Sequence, residues 1–118
     1  MVVAIFGIGL IGGSVAKDLR AANFCTDIIG VGRSEASNET ALKLGLVDKI
    51  VTREAAIKLA DLIILTVPVN SLINELKFVL DNIQSHQTVT DMGSTKGIVI
   101  DAIQHHPLRN RYVASHPM

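Results

Sequence analysis

Continuous apolar runs alternate along the chain with longer stretches in which apolar residues recur at helical spacing. Runs such as VVAIF and LIILTV lack the polar alternation of a half-exposed strand, so they predict strands that are buried on both faces. We predict strands, in chain order, at Val2–Phe6, Asp27–Val31, Asp48–Val51, Asp61–Val67, Thr88–Thr90 and Tyr112–Ala114.

The stretches between these runs predict helices. The apolar face of the first helix would consist of Val15, Leu19 and Ala22. A longer stripe later in the chain is formed by Leu72, Leu76, Val79 and Ile83. We predict helices at Leu10–Ala22, Glu35–Leu44, Thr52–Leu59 and Asn70–Ile83, and a fifth that Ser94 or Thr95 caps and Pro107 ends near His106.

The alternation of strands and helices over the whole chain predicts parallel β-α-β units with right-handed crossovers. The expected fold class is therefore α/β, with a doubly wound and mostly parallel sheet of the Rossmann type. Ligands of such sheets bind at the carboxyl ends of the strands, beside the point where the strand order reverses. The candidate residues at these ends lie in five separate stretches, Gly7, Gly32–Ser34, Val67–Pro68, Asp91–Ser94 and Ser115–His116.

Three glycines follow the first strand at G-x-G-x-x-G spacing, and a helical pattern begins among them. Gly7 would allow a tight turn, Gly9 would let the backbone approach a pyrophosphate, and Gly12 would let the helix pack closely on the strand. Leu10 and Ile11 lie between them, where the N–H groups and the positive dipole end of the helix would face phosphates. The pattern predicts a dinucleotide site, and the alternative is a strand–helix turn without a ligand.

The end of the second strand bears on the choice between NAD and NADP. In NAD-binding domains an acidic residue about 20 positions after the third glycine holds the ribose hydroxyls, and here that position is Gly32. The guanidinium of Arg33 could clamp a 2′-phosphate, and the hydroxyl of Ser34 could donate to it. We therefore predict NADP, with NAD as the alternative because Glu35 supplies a nearby carboxylate. Without a ligand, Arg33 would be a solvated charge and Ser34 a helix cap.

Composition narrows the remaining possibilities. A chain of 118 residues suits one domain, which we take to be a dinucleotide-binding domain over residues 1–118. The formal net charge is +0, so no basic field attracts nucleic acid or an anionic membrane. Cys25 is the single cysteine, which excludes an internal disulfide and fits a cytoplasmic protein. The spacing of histidines and carboxylates indicates no metal site.

Two further segments, D-x-G-S-x-K-G over Asp91–Gly97 and H-P-M over His116–Met118, complete a recognisable set of motifs. Together with GLIGGS over Gly9–Ser14 and VPV over Val67–Val69, they resemble the prephenate and arogenate dehydrogenases of tyrosine biosynthesis. The resemblance covers the whole chain in the expected order. The sequence departs from the family at Ala114–Ser115, where the family has two glycines, and this changes how closely the backbone approaches the substrate.

The resemblance implies the oxidative decarboxylation of prephenate or arogenate, with hydride transfer to a nicotinamide cofactor. It gives His116 the role of accepting a proton or hydrogen bond from the substrate 4-hydroxyl, which suits a neutral imidazole. Ser94 would hold the hydroxyl and the imidazole in line, Lys96 would contact the substrate, and Gly93 would lie beside the cofactor.

Members of the family continue into a helical domain that forms a homodimer and supplies substrate-binding groups. The resemblance thus implies that this chain is the nucleotide-binding part of a longer protein and that it turns over little substrate by itself. A positioned substrate is worth several kcal/mol to a reaction, and part of the pocket would be missing.

Two other functions remain open. A dehydrogenase of the β-hydroxyacid or imine-reducing type would share the glycine loop and the VPV strand end, but it would not explain Asp91–Gly97 together with His116. A non-catalytic sensor of dinucleotides would need neither segment. Outside an active site Ser94 would be a helix cap, Lys96 a solvated charge, and His116 an exposed side chain.

Overall fold

The computed structural model describes residues 1–7, 10–22, 27–32, 35–66, 69–84, 86–91, 106–107 and 111–114, with side chains at all of these positions except 10–14, 35, 37, 69–71 and 112–114. The strands are β1 Val2–Phe6, β2 Asp27–Val31, β3 Lys49–Ile50, β4 Leu62–Leu65, β5 Thr88–Asp91 and β6 Tyr112–Ala114. The helices among the described residues are α1 Leu10–Ala21, α2 Glu35–Lys43, α3 Arg53–Leu59 and α4 Val69–Asn82. The predicted helix between Ser94 and His106 lies outside the described residues.

The six strands form one sheet in the order β3-β2-β1-β4-β5-β6. Each described pair of neighbouring strands is parallel. The order reverses between β1 and β4, as in the doubly wound fold of dinucleotide-binding domains. The predicted fold class, α/β with a doubly wound and mostly parallel sheet, is confirmed by this strand order and these parallel pairs.

The carboxyl ends of five strands lie in one row across the sheet. Phe6 at the end of β1 is in register with Val31 on one side and with Leu65 on the other. Leu65 pairs in turn with Asp91, and Asp91 pairs with Ala114. Because neighbouring strands are about 4.8 Å apart, this row brings the segments that follow β1, β2, β4, β5 and β6 to a common edge.

Helices cover both faces of the sheet, as the fully apolar strands require. Successive residues of β1 point to opposite faces: Val3 and Ile5 pack with residues of α1 and α2, whereas Ala4 and Phe6 pack with residues of α3 and α4. The stripe of α4 is buried as predicted, at Leu72, Leu76, Val79 and Ile83.

One predicted core position is wrong. Ala22 is exposed, because α1 ends at Ala21 and the chain turns away before Ala22 can reach the sheet. Ala16 is buried in its place and contacts the core together with the half-buried Val15 and Leu19. The exit of α2 follows the prediction more closely, since Gly45, the second residue after the helix, adopts a φ of +69°.

Two aspartates fix the register of the strands at the amino-terminal edge of the sheet. The N–H of Asp48 donates to the carbonyl of Ile28 (2.7 Å), and its Oδ2 accepts from the N–H of the same residue (2.8 Å). Asp61 repeats both bonds with Val2, each at 2.8 Å. Each aspartate lies one residue before a strand, β3 or β4, so each bond pair aligns that strand with its neighbour.

The predicted strand limits differ slightly from these bounds. Asp61 and Thr66, which we expected inside the fourth strand, lie just outside β4, and Asp91 is the last residue of β5 rather than the first residue after it. Among the described helices, none is both long and apolar enough to cross a bilayer.

Candidate functional site

A crevice is expected between the ends of β1 and β4, because the chain leaves these adjacent strands in different directions. From β1 it proceeds through α1 to β2 on one side, whereas β4 lies on the other side and is followed by α4. This crevice is the position at which ligands bind in doubly wound sheets. Gly7 directly follows β1 and Thr66 directly follows β4, so these two residues face each other across the point where the strand order reverses.

Gly7 occupies a position that only glycine tolerates well. Its φ is +88°, a conformation that side chains rarely adopt. A Cβ atom there would lie 3.0 Å from the carbonyl oxygen of Thr66 and 3.1 Å from its Oγ1. The N–H of Gly7 donates to the carbonyl of Val31 (2.8 Å), so the turn after β1 is also tied to β2.

The hydroxyl of Thr66 holds the turn from the other side. Its Oγ1 donates to the carbonyl of Phe6 (2.9 Å) and also contacts the carbonyl oxygen of Gly7 at hydrogen-bond distance. The backbone N–H of Thr66 donates to the same Phe6 carbonyl (2.8 Å). The start of the glycine segment is therefore fixed by a side chain that lies 59 residues later in the sequence.

The amino-terminal ends of α1 and α4 lie at this edge of the sheet. Neither helix has an acidic residue in its first turn, so these turns supply no carboxylate that would neutralise the positive ends of the two helix dipoles. Leu10, Ile11 and Gly12 form the first turn of α1 by their backbone. Free N–H groups at such helix ends are suited to bind phosphate.

The end of β2 is shaped by an interaction between Gly32 and Asn38 of α2. The Nδ2 of Asn38 donates to the carbonyl of Gly32 over 3.4 Å. A Cβ atom at position 32 would overlap Oδ1 of Asn38 and lie 3.2 Å from its Cγ. The carboxamide thus occupies the space into which a side chain at position 32 would project.

Asp91 places a buried carboxyl group at the end of β5. Its side chain is fully buried and lies in the strand-end row between Leu65 and Ala114. This burial favours a structural role for Asp91 over direct contact with a ligand.

Most predicted site residues lie outside the described residues, although they adjoin described strand ends. Ser94 follows Asp91 by three positions and His116 follows Ala114 by two, and Asp91 and Ala114 are paired across β5 and β6. The predicted residues for which the structure describes no position are Gly9, Arg33, Ser34, Val67, Pro68, Gly93, Ser94, Lys96 and His116.

The sequence reasoning missed Thr66 and Asn38. Thr66 is the polar residue that interrupts LIILTVPV, and a threonine between a buried strand and a proline is a signal for a side chain that bonds the backbone. The sequence signal for Asn38 is weaker. Gly32 stands where an acidic residue is usual, and a glycine there leaves space that a side chain from another element can fill. Among the described residues, no group of three histidine, cysteine, aspartate or glutamate side chains could hold a metal ion.

Comparison with known proteins gives consistent matches. The family model described as the nucleotide-binding domain of prephenate dehydrogenase matches residues 15–118. The prephenate dehydrogenase of Bacillus subtilis is 34% identical over 119 aligned positions, which cover 98% of this chain and 32% of that protein. The chain spans 32% to 40% of the length of the curated relatives it matches.

Solved structures agree with these matches. A prephenate dehydrogenase from A. aeolicus, in complex with hydroxyphenyl propionate and NAD+, has a TM-score of 0.85 and 32% identity, over 100% of this chain and 42% of that one. An arogenate dehydrogenase from Synechocystis has a TM-score of 0.83 and 30% identity, over 99% of this chain and 41% of that one.

Proposed function

The chain belongs to the prephenate dehydrogenase family, of which it matches the nucleotide-binding domain, and from this premise we propose that it binds a nicotinamide dinucleotide for the oxidative decarboxylation of prephenate or arogenate. The observation that carries the proposal is the row of strand ends. Five segments with candidate residues leave the sheet at one edge, at the strand-order switch.

The described residues fit a dinucleotide. Gly7 presents a turn without a side chain, and the first turn of α1 begins three residues later with no acidic residue in it. A pyrophosphate beside this turn would meet backbone N–H groups, and Gly7 places no Cβ atom in its way. On the far side of β1, Gly32 leaves the end of β2 without a side chain of its own.

The preferred form of the cofactor is NADP, with NAD as the alternative. Gly32 places no carboxylate where a 2′-phosphate would lie, and Arg33 and Ser34 follow at once in the sequence. Because a guanidinium binds phosphate through two parallel hydrogen bonds, Arg33 would favour the phosphorylated ribose.

The catalytic groups of the proposal are His116 and Ser94. The bound nicotinamide supplies the acceptor for the hydride that leaves the ring carbon bearing the 4-hydroxyl. His116 takes the proton of that hydroxyl as carbon dioxide departs and the ring becomes aromatic, and it returns the proton to the phenolate oxygen of the product, since a neutral imidazole is a suitable base near pH 7. Ser94 orients the hydroxyl toward the imidazole, and Lys96 contacts the substrate. Pairing of β5 with β6 supports the approach of the two segments.

The relatives that the chain matches are longer, so the proposal includes a further domain in a longer protein. We expect that domain to be helical, to supply the remaining substrate-binding groups and to form a homodimer. We also expect a cytoplasmic protein that needs neither a membrane nor nucleic acid, because the single cysteine Cys25 and the net charge of +0 favour it.

The first test is a calorimetric titration of the 118-residue chain with NADP and with NAD at one ionic strength. Both should bind, NADP more tightly, and substrate turnover by this chain should be negligible. Tighter binding of NAD would contradict the NADP preference, and binding of neither would contradict the proposed function.

The second test uses the longer protein, assayed for cofactor reduction with prephenate and with arogenate. His116→Asn should lower turnover by about 10²–10⁴-fold, the usual contribution of a general base, and leave cofactor affinity unchanged. Gly9→Val is the matched control with the opposite pattern, because its side chain would block the pyrophosphate. A folded dimer that reduces no cofactor with either substrate would favour the sensor function.

A further inference from the structure

We propose that the carboxamide of Asn38, a residue of α2, recognises the adenosine ribose at the place where NAD-binding domains use an acidic residue of β2. The inference rests on the proposed function, since it assumes that a nicotinamide dinucleotide binds at this edge of the sheet. It assigns affinity for the ribose of both cofactors, without repulsion of a 2′-phosphate, to a residue that the glycine fingerprint does not include.

The carboxamide of Asn38 lies directly beside Gly32. Gly32 lies at the end of β2, in the position of the usual acidic residue. Its φ is not among the positive values found in the described glycines, which are at Gly7 and Gly45. The backbone at position 32 would therefore accept other residues. The group that a side chain at position 32 would displace is the carboxamide of Asn38, whose Oδ1 a Cβ there would overlap.

The hydrogen bonding of the Asn38 carboxamide is incomplete. Oδ1 of Asn38 is buried, and no donor among the described residues reaches it. The Nδ2 bond to the Gly32 carbonyl is 3.4 Å long, which is beyond the usual range for an N–H donor and holds the side chain weakly. A buried acceptor without a donor is unfavourable unless a ligand supplies the donor. Because its bond to Gly32 is weak, the carboxamide can turn toward a ribose bound at the end of β2, whose hydroxyls are such donors.

The charge of the side chain at this place affects the binding of a 2′-phosphate. A carboxamide is neutral, so it accepts from a ribose hydroxyl as a carboxylate does but does not repel a 2′-phosphate. Its Nδ2 can also turn its second proton toward a phosphate oxygen. Asn38 would thus give affinity for the ribose of both cofactors, while Arg33 adds affinity for NADP alone.

The decisive variant is Asn38→Asp, which keeps the shape of the side chain and adds one negative charge. In titrations of the 118-residue chain, the ratio of the Kd for NADP to the Kd for NAD should rise at least about tenfold, because two anions would then share one site. The matched control is Asn82→Asp, the same change at the exposed carboxyl end of α4 on the opposite edge of the sheet. It should leave the ratio unchanged.

A second variant separates recognition from folding. Asn38→Ala should weaken binding of NAD by about tenfold while the melting temperature of the ligand-free chain changes by no more than about 2 °C, because a weak bond is lost together with an unsatisfied acceptor. A purely structural Asn38 would show the reverse, with a large loss of melting temperature and an unchanged Kd.

The possible outcomes are distinct. If the unaltered chain binds neither cofactor, the proposed function fails and the inference fails with it. If both cofactors bind but Asn38→Asp and Asn38→Ala leave each Kd within twofold of the unaltered value, the inference alone is overturned. A selective loss of NADP binding in Asn38→Asp, with binding by Asn82→Asp intact, supports it.

Discussion

At the scale of single residues, Gly7 and Thr66 are complementary. The φ of +88° at Gly7 exposes its carbonyl to the hydroxyl of Thr66, and the absent Cβ makes room for that hydroxyl. The glycine at position 7 could be predicted from sequence, because the apolar strand, the glycine spacing and the helical pattern lie close together in the chain. Thr66 could not be predicted in the same way, because the contact depends on which strand lies beside β1.

Thr66→Val is the test of this contact, since it keeps the shape of the side chain and removes the hydroxyl. We expect the chain to lose about 1 kcal/mol of unfolding free energy and to bind NADP roughly tenfold more weakly, because the turn at Gly7 would no longer be fixed. Denaturant unfolding and calorimetry measure the two effects. Thr66→Ser keeps the hydroxyl and should bind as the unaltered chain does; equal binding by Val and Ser variants would refute the positioning role.

At the scale of elements, Gln87 joins segments that are distant in sequence. Its Nε2 donates to the carbonyls of Ile57 and Ala60 at the end of α3, the latter at 2.6 Å, and its Oε1 accepts from the N–H of Gln84 (2.8 Å) after α4. Carbonyls in the last turn of a helix have no partner within the helix. A single buried side chain therefore ends α3 and positions the start of β5.

Arg111 extends this junction to the edge of the sheet. Its Nε donates to the carbonyl of Gln87 (2.7 Å), and its Nη2 donates to Oγ1 of Thr88 (3.1 Å). Arg111 lies one residue before β6 begins. It therefore anchors β6 to β5 at the edge of the sheet opposite the crevice.

Gln87→Met should destabilise the chain by about 3 kcal/mol, because it leaves the N–H of Gln84 and the carbonyls of Ile57 and Ala60 without the buried side chain that bonds them. Urea unfolding measures the loss. The exposed Gln84 provides the control, and Gln84→Met should change stability by less than about 0.5 kcal/mol. Cofactor affinity should not change in either variant while the chain is folded, and a specific loss of affinity in Gln87→Met would show that this junction reaches the site.

The elements themselves could be predicted to within a few residues, because apolar periodicity is local. The predicted fourth strand was longer at both ends than β4. Asp61 leaves the strand to bond Val2, and Thr66 leaves it to bond the carbonyls of Phe6 and Gly7. Both are contacts between strands, which the pattern of one strand does not contain.

At the scale of the whole molecule, alternation of strands and helices predicts the topology and the common edge at which the strands end, whereas the residue-by-residue alignment of these ends could not be predicted. Alignment depends on the register of each parallel pair, and a shift of one residue would turn every side chain to the other face. The aspartates at positions 48 and 61 set this register from the amino-terminal edge. The position of candidate residues at the crevice is therefore fixed partly by contacts at the other end of the sheet.

Stability of the whole chain should depend on pH through Asp48. The N–H of Ile28, which donates to its Oδ2, and the nearby Arg20 hold the pKa of the Asp48 carboxyl below its usual value, against a smaller opposing effect of burial. A pKa that is lower in the folded chain than in the unfolded one stabilises the fold above the unfolded value. This contribution is lost as the pH falls through the folded value.

Asp48→Asn should therefore lower the unfolding free energy by about 1 kcal/mol at pH 7, a modest figure because solvent screens the half-exposed pair with Arg20. The difference from the unaltered chain should shrink as the pH falls below about 4. Thermal unfolding between pH 3 and pH 8 measures it. The exposed Asp27 is the control, and a difference that stays constant down to pH 3 would contradict the role assigned to Asp48.

The parallel sheet also keeps the bonds that fix the strand register apart from the loops that would select a cofactor. The described ties that hold β3 and β4 in register lie at one edge, and the loops that would select a cofactor leave from the other. The loop between β2 and α2 can therefore be exchanged, in the laboratory or in evolution, without altering the bonds that align the strands. If the chain binds a nicotinamide dinucleotide as proposed, we expect that a few substitutions near Gly32 would change its preference between NAD and NADP and leave the sheet unaltered.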